Sequence, residues 1–271
     1  MGALEAIFLG LLQGLTEFLP ISSSGHLRIF PAFYGHEDPG AAFTAVIQLG
    51  TMAAELIFFR QDLWNIGTTW LASLRDPSKR GLHEARMGWY LIFATIPISV
   101  FGLAFDDTIE TSARDLTLIG CTLIVFALIL LWADNRARCE RGIEQLSLRE
   151  GLLIGSAQTL ALVPGVSRSG ATITAGLLLG LDRAAAARFS FLLSIPAVVL
   201  SGLYQLKDIG GEGGAPVGAT IIAALLAFVV GYACIAGLLR FLTSHTLRVF
   251  VVYRVLLGGL VLALVAAGAI S

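Results

Sequence analysis

Six apolar runs dominate the sequence, at about 43–59, 88–105, 116–133, 189–205, 217–239 and 249–270. Each has roughly the 17–25 residues that a helix needs to cross the hydrocarbon of a bilayer. The runs are continuous, whereas a membrane β-strand of about ten residues would alternate apolar with polar positions. Hydrophobic residues make up 56% of the 271 and charged residues only 14%, against about 25% charged in an ordinary soluble domain. A soluble fold of this size has too little interior to hide so much apolar surface. The expected fold is an all-α polytopic membrane protein, one integral-membrane domain over residues 1–271.

Two further regions are apolar but interrupted. Region 3–35 is broken by Pro20-Ile21-Ser22-Ser23-Ser24-Gly25, and region 151–181 by Pro164-Gly165-Val166-Ser167-Arg168-Ser169-Gly170. Arms of about 12–16 residues are short for a span and suit half-helices. The two regions also match each other. At an offset of 145, Gly10 meets Gly155, Gln13 meets Gln158, Leu15 meets Leu160, Ser22 meets Ser167, Ser24 meets Ser169 and Gly25 meets Gly170. At an offset of 146, Phe43 meets Phe189. This predicts an internal repeat over 1–135 and 146–271. If each broken region is a re-entrant hairpin, each half holds one hairpin and three transmembrane helices. Three is odd, so the halves would form an inverted repeat.

Charge gives the orientation. The loops 60–87, 134–150, 182–188 and 240–248 carry most of the 18 Lys and Arg residues, and the positive-inside rule places them in the cytoplasm. The opposite side holds Arg28, Arg114 and Lys207 beside Asp106, Asp107, Glu110, Asp115, Asp208 and Glu212. Both termini are then expected outside. The first run, Ala3 to Leu19, has no basic start and contains Glu5, Gln13 and Glu17, unlike a cleavable signal. A net charge of -1 gives no field for nucleic acid. Cys121, Cys139 and Cys234 form no CxxC pair, against a disulfide framework or zinc site. Gly210-Gly211-Glu212-Gly213-Gly214 reads as a flexible outer turn.

Non-helical backbone at membrane depth is tolerated only where it is buried in protein or lines a wet cavity. The half-helices after the breaks, expected to start at Ser24 and Ser169, would aim free N–H groups and positive dipole ends at one place, an anion site. Arg168 adds a permanent cation with a fork suited to phosphate. Ser22, Ser23, Ser24, Ser167, Ser169 and Thr172 add hydroxyls, although Ser22 and Ser169 also read as helix caps. An intramembrane Arg or Glu is a functional candidate by default, the alternative being an ion pair that only ties the repeats together. Gln13 and Glu17, four apart, share a helix face. Glu17 beside an anion suits a bridging divalent cation, Mg2+ or Ca2+, or a partner in His26 or Arg168. His26 is a candidate acid–base or nucleophile. Gln48 and Ser194 are expected to line the cavity and Gln158 to act as a hydrogen-bonding strut. Arg188, Arg254 and Glu55 are expected to snorkel from span ends.

The stretch Gln13 to His26, QGLTEFLPISSSGH, resembles the first signature of the bacterial undecaprenyl-diphosphatase, or bacitracin-resistance, family. Pro164 to Thr172, PGVSRSGAT, resembles its second signature, and Val46–Gly50, Phe189–Leu193 and Tyr253-Arg254 also match. The resemblance covers essentially the whole chain. It implies an inverted-repeat fold and hydrolysis of undecaprenyl diphosphate to the monophosphate and inorganic phosphate. That reaction recycles the lipid carrier of peptidoglycan and confers bacitracin resistance. The implied location is the bacterial inner membrane, with the site opening to the outer face. The family's acidic motif maps onto Gln13 and Glu17, its arginine onto Arg168, its histidine onto His26 and its serine onto Ser23. With Gln at position 13 a metal site has one carboxylate fewer.

The expected catalytic set is therefore Glu17, Ser23, His26 and Arg168, with Glu17 as the metal ligand. The substrate-binding set is Gln13, Ser22, Ser24, Gly165, Ser167, Ser169, Gly170, Thr172 and Gln48. Either Ser23 attacks phosphorus with His26 as base, or His26 assists a water. The expected partners are the lipid substrate and the surrounding membrane lipid, with a homodimer as one open arrangement. The rival functions are a transporter or flippase of a polyprenyl phosphate and a membrane scaffold without chemistry.

Overall fold

A computed structural model describes residues 2–36, 40–105, 115–205 and 217–270. Among these, regular structure is helical, with one isolated bridge between Arg141 and Leu181. The α-helices are α1 (Ala3–Thr16), α2 (Ser23–Phe33), α3 (Gly40–Phe58), α4 (Arg60–Arg75), α5 (His83–Ala104) and α6 (Leu116–Arg136). They continue with α7 (Leu148–Gln158), α8 (Arg168–Leu178), α9 (Arg183–Gln205), α10 (Val217–Leu242) and α11 (Arg248–Ala266).

Among the described residues five helices are long and apolar enough to cross a membrane: α5, α6, α9, α10 and α11. A sixth passes the same test as the pair α3 and α4, which is bent by 70°. The apolar runs thus become helices where the sequence places them. Ile96, Val100, Leu128, Leu225 and Leu256 face outward and exposed, an apolar surface suited to lipid. The difference lies at 60–75, expected as loop and observed as α4. Its charges, Arg60, Asp62 and Arg75, suggested a solvated connection. Its apolar residues instead recur at helical spacing, and Leu63 and Ile66 pack against the main core. Trp70 lies against Gly88 of α5, where a Cβ would come 2.8 Å from the indole ring.

The broken regions are short helices. At 1.5 Å per residue, the 11 residues of α2, α7 and α8 give about 16 Å each, roughly half the hydrocarbon thickness. α1 packs on α2, and α7 on α8. The two regions match in detail. α2 and α8 have equal length and start 145 residues apart. α1 packs most extensively on α10, and α7 on α5. At the centre of each contact a glycine lets backbones touch: a Cβ on Gly10 would fall 2.4 Å from the Ala223 carbonyl oxygen, and one on Gly155 would fall 2.2 Å from that of Ala94.

Polar bonds gather the basic loops at one end. Arg183 Nε donates to Asp134 at 2.6 Å, and the Leu247 amide donates to the same carboxylate at 3.1 Å. Arg188 pairs with Asp62 at 2.6 Å, so it is bound to α4 rather than snorkelling freely. Arg141 pairs with Glu150 at 2.6 Å and donates to the Leu179 carbonyl. Asp106, Asp107, Glu110, Arg114, Lys207, Asp208, Glu212 and the turn Gly210–Gly214 lie outside the described residues. Asp115 caps α6, accepting from the Leu118 amide at 2.9 Å.

Candidate active site

Both breaks are set by local chemistry. A residue before proline avoids the α region, which stops the chain near Leu19 and Val163. Gly165 then takes φ +89°, which glycine adopts without steric cost. Ser22 and Ser167 follow with φ 75° and 73°, uncommon for side chains with a Cβ and costly unless the surroundings impose them. Each serine caps the next half-helix. Ser22 Oγ accepts from the Gly25 amide at 3.4 Å, and Ser167 Oγ from the Gly170 amide at 3.1 Å. The half-helices therefore start at Ser23 and Arg168, one residue before the expected Ser24 and Ser169. Ser169 is not a cap: its hydroxyl crosses to the first break and donates to the Leu19 carbonyl at 3.0 Å. Ser24 and Ser169 each also pair with the capping serine two residues back, at 3.3 and 3.2 Å. Gly170 follows Ser169 in the first turn of α8, where a Cβ would come 3.0 Å from Arg254 Nη1.

Glu17 is the hub where the two regions meet. Arg168 Nη2 donates to its Oε1 at 2.9 Å. Ser23 Oγ donates to Oε2 at 2.6 Å, and Gln13 Nε2 to the same oxygen at 3.0 Å. The Glu17 and Arg168 side chains are only 9% and 16% exposed. Isolated burial of either charge would be costly, and each compensates the other. Two buried atoms of this cluster have no partner among the described residues, Arg168 Nη1 and Gln13 Oε1. An orphaned guanidinium N–H next to two helix N-termini is a donor set for an oxyanion.

His26 is fully buried. Its Nδ1 faces the Ser22 carbonyl at 2.7 Å, and a carbonyl only accepts, so Nδ1 carries a hydrogen. In the neutral ring Nε2 then accepts from the Tyr253 hydroxyl at 2.6 Å. The imidazole is nearly parallel to the rings of Phe30 and Tyr253, with centroids at 5.9 and 5.5 Å. Both ring nitrogens are thus engaged, and the Ser23 hydroxyl rests on Glu17. Thr172 is buried with its hydroxyl 2.6 Å from that of Ser190, where it joins α8 to α9. Gln48 is half-buried on α3, one turn before Thr51, whose hydroxyl lies 3.5 Å from Gln13 Nε2.

Three expectations are corrected. Arg254 does not snorkel. It is 0% exposed and donates to the carbonyls of Leu123, Pro20, Gly165 and Val166 at 2.9–3.2 Å. Its distance from the helix start was the legible signal, since it lies nearly two turns beyond Arg248. Glu55 does not snorkel either. It is 1% exposed and accepts from Ser194 Oγ at 2.6 Å, which turns Ser194 into its anchor. Gln158 is no strut: it is buried, and neither amide atom has a partner among the described residues. Its counterpart Gln13 has Glu17 four residues on, whereas Gln158 has Leu162. Tyr253 and Ser190 received no role from sequence, because their partners are remote in the chain.

No group of three or more His, Cys, Asp and Glu residues that could hold a metal occurs among the described residues. The donors still suit a hard cation of the Mg2+ or Ca2+ kind. Glu17 supplies a carboxylate, and the orphaned Gln13 Oε1 beside it a second oxygen. Mg2+ commonly takes one or two protein carboxylates and fills its remaining positions with phosphate oxygens and water.

Fold and site together define a polytopic helical membrane protein in which two broken helices meet at a buried Glu17–Arg168 pair. Residues 6–260 match the family model described as bacitracin resistance protein BacA, and the chain belongs to that family. It is 56% identical over 269 residues to a protein named undecaprenyl-diphosphatase from Nocardioides sp. (strain ATCC BAA-499 / JS614), covering 99% of this chain and 98% of that one. Proteins of the same name from Thermobifida fusca and Kineococcus radiotolerans are also 56% identical, covering 100% of this chain and 93% and 96% of theirs.

Proposed function

We propose that this chain is a membrane phosphatase. It hydrolyses undecaprenyl diphosphate to undecaprenyl phosphate and inorganic phosphate, recycling the carrier lipid of peptidoglycan synthesis and conferring bacitracin resistance. The carrying observation is the Glu17 hub, where a carboxylate, a serine hydroxyl and an arginine from two separate breaks meet within 2.6–3.0 Å. The full-length identity to proteins named for this activity supports the same reading.

The prenyl tail stays in the bilayer and the diphosphate enters between the breaks. Arg168 Nη1 and the first amides of α2 and α8 bind its oxygens and stabilise charge in the transition state. Ser23 Oγ attacks the terminal phosphorus while its proton passes to Glu17, the group it already hydrogen-bonds. The bond from that phosphorus to the bridging oxygen breaks, and undecaprenyl phosphate leaves. Water then hydrolyses the phosphoserine, releasing inorganic phosphate and returning the proton to Ser23. His26 holds the Ser22 carbonyl and so fixes the first break. A divalent cation, Mg2+ or Ca2+, held by Glu17 and Gln13 Oε1 would neutralise charge on the diphosphate.

The finer architecture is also proposed. The matched pairs Gly10–Ala223 and Gly155–Ala94, and the matched strained caps Ser22 and Ser167, support an inverted repeat of 1–135 and 146–271 with two re-entrant hairpins. The basic end formed by Arg60, Arg75, Lys79, Arg141, Arg183 and Arg188 then faces the cytoplasm. Both termini face outward in the inner membrane, and the site opens to the outer face.

The test is phosphate release from undecaprenyl diphosphate by purified protein in detergent, where no second compartment exists for transport. Wild type should turn over, Arg168→Ala should lose on the order of 10³-fold in rate, and EDTA should lower the rate. Absence of release from folded wild type, with or without divalent ions, would favour a polyprenyl phosphate transporter.

A further inference from the structure

Among the described residues Arg254 is the largest side chain that is fully buried. Among the described residues no carboxylate pairs with it, and its bonds run to backbone carbonyls of three segments. Nε donates to Leu123 of α6 at 3.2 Å, and Nη1 to Pro20 of the first break at 3.2 Å. Nη2 donates to Gly165 and Val166 of the second break at 2.9 and 3.0 Å. Carbonyls in a broken helix have lost their intrahelical donors, and at membrane depth water does not replace them. The guanidinium is a rigid plane with donors in fixed directions. One such plane bonded to both breaks sets the distance between them.

The reacting groups hang on those carbonyls. Pro20 is followed closely by Ser22 and Ser23, and Val166 by Ser167 and Arg168. Among the described residues the gap is also tied by the hydroxyl of Ser169 on Leu19 and by the Arg168–Glu17 pair itself. The same turn of α11 presents the Tyr253 hydroxyl to His26.

We infer that Arg254 is a positioning residue of the phosphatase centre: bonded to both breaks and to α6, it fixes Arg168 against Glu17 and Ser23 without touching the diphosphate. This rests on the phosphatase reading. Lysine keeps the charge but concentrates its donors on one atom, so it cannot hold Pro20, Gly165 and Leu123 together. Misplacement by about 1 Å costs on the order of 100-fold in rate.

The experiment compares wild type, Arg254→Lys and Arg254→Met as full chains in detergent, with kcat and KM for undecaprenyl diphosphate measured separately. Monodispersity and thermal melting report folding. The expected result is a folded Arg254→Lys protein with KM within about threefold of wild type and kcat lower by on the order of 30- to 100-fold, with Arg254→Met lower still. Folded variants with wild-type kcat would overturn the proposal. A raised KM with kcat retained would overturn it in favour of direct substrate contact. Failure of both variants to fold would overturn it in favour of a purely structural role. In all three of these cases an active wild type leaves the phosphatase reading standing, whereas an inactive folded wild type removes that reading itself.

Discussion

Arg141 and Glu150 are tied more tightly than an ordinary surface pair. The guanidinium donates to both carboxylate oxygens, at 2.6 and 3.1 Å, while the Ser147 hydroxyl and amide donate to Oε2. The hydrogen bond from Arg141, with those from Ser147, holds the Glu150 carboxyl down to about 2 from the usual 4.5. A carboxylate depressed in the folded state stabilises that state above its unfolded value and loses the contribution as it protonates. The melting temperature in detergent should therefore fall as pH drops from about 4.5 towards 2. Glu150→Gln should be less stable at neutral pH and should lack that part of the acid-dependent loss. An unchanged acid profile in Glu150→Gln would remove the pair from the stability of the loop. At this scale the sequence singled out Arg168, Glu17, Ser23 and His26 as candidates, and the structure brings Arg168, Glu17 and Ser23 together. It could not assign their hydrogen bonds, because Ser23 chooses Glu17 over His26 through the path of a strained turn. Arg254 and Glu55 were misjudged for a related reason. Snorkelling is the default for a long polar side chain near a span end, and only the packing of neighbouring segments reveals buried partners.

The elements were legible where hydrophobicity alone decides them, and α3, α5, α6, α9, α10 and α11 fall on the apolar runs. α4 was hidden because charged residues at its ends masked an apolar helical face. The glycines of α1 and α7 show what a repeat in sequence means in space. Gly10→Ala and Gly155→Ala would each drive a methyl group to 2.4 or 2.2 Å from a carbonyl oxygen of another helix. Helices must separate to admit it, at a cost of about 1–3 kcal/mol each. Gly237 of α10 and Gly259 of α11 have no atom of the described residues within 4 Å of an added Cβ. Alanine there should be neutral or stabilise by up to about 1 kcal/mol through helix propensity. Denaturation midpoints of the four variants check this, and a Gly155→Ala protein as stable as Gly237→Ala would refute the close contact.

For the whole molecule, ion pairs tie the basic loops to one another and to neighbouring helices, Asp62, Asp134 and Glu150 binding Arg188, Arg183 and Arg141. The proposed orientation is tested by cysteine labelling in intact cells, with Cys121, Cys139 and Cys234 first replaced by serine. An impermeant maleimide should modify Gly2→Cys and spare Ser78→Cys until the membrane is opened. The reverse pattern would invert the topology. Sequence by itself determined the solvent, the spans, the two breaks and the identity of the charged groups, because each follows from local hydrophobicity, proline and glycine placement, and the cost of a charge in hydrocarbon. Tertiary structure alone decided which breaks, helices and carbonyls meet. Contacts such as Arg168–Glu17, Tyr253–His26 and Arg254–Pro20 join residues more than a hundred positions apart. No local preference specifies such a pairing; it follows from giving partners to backbone carbonyls and charges that the broken helices leave inside the membrane.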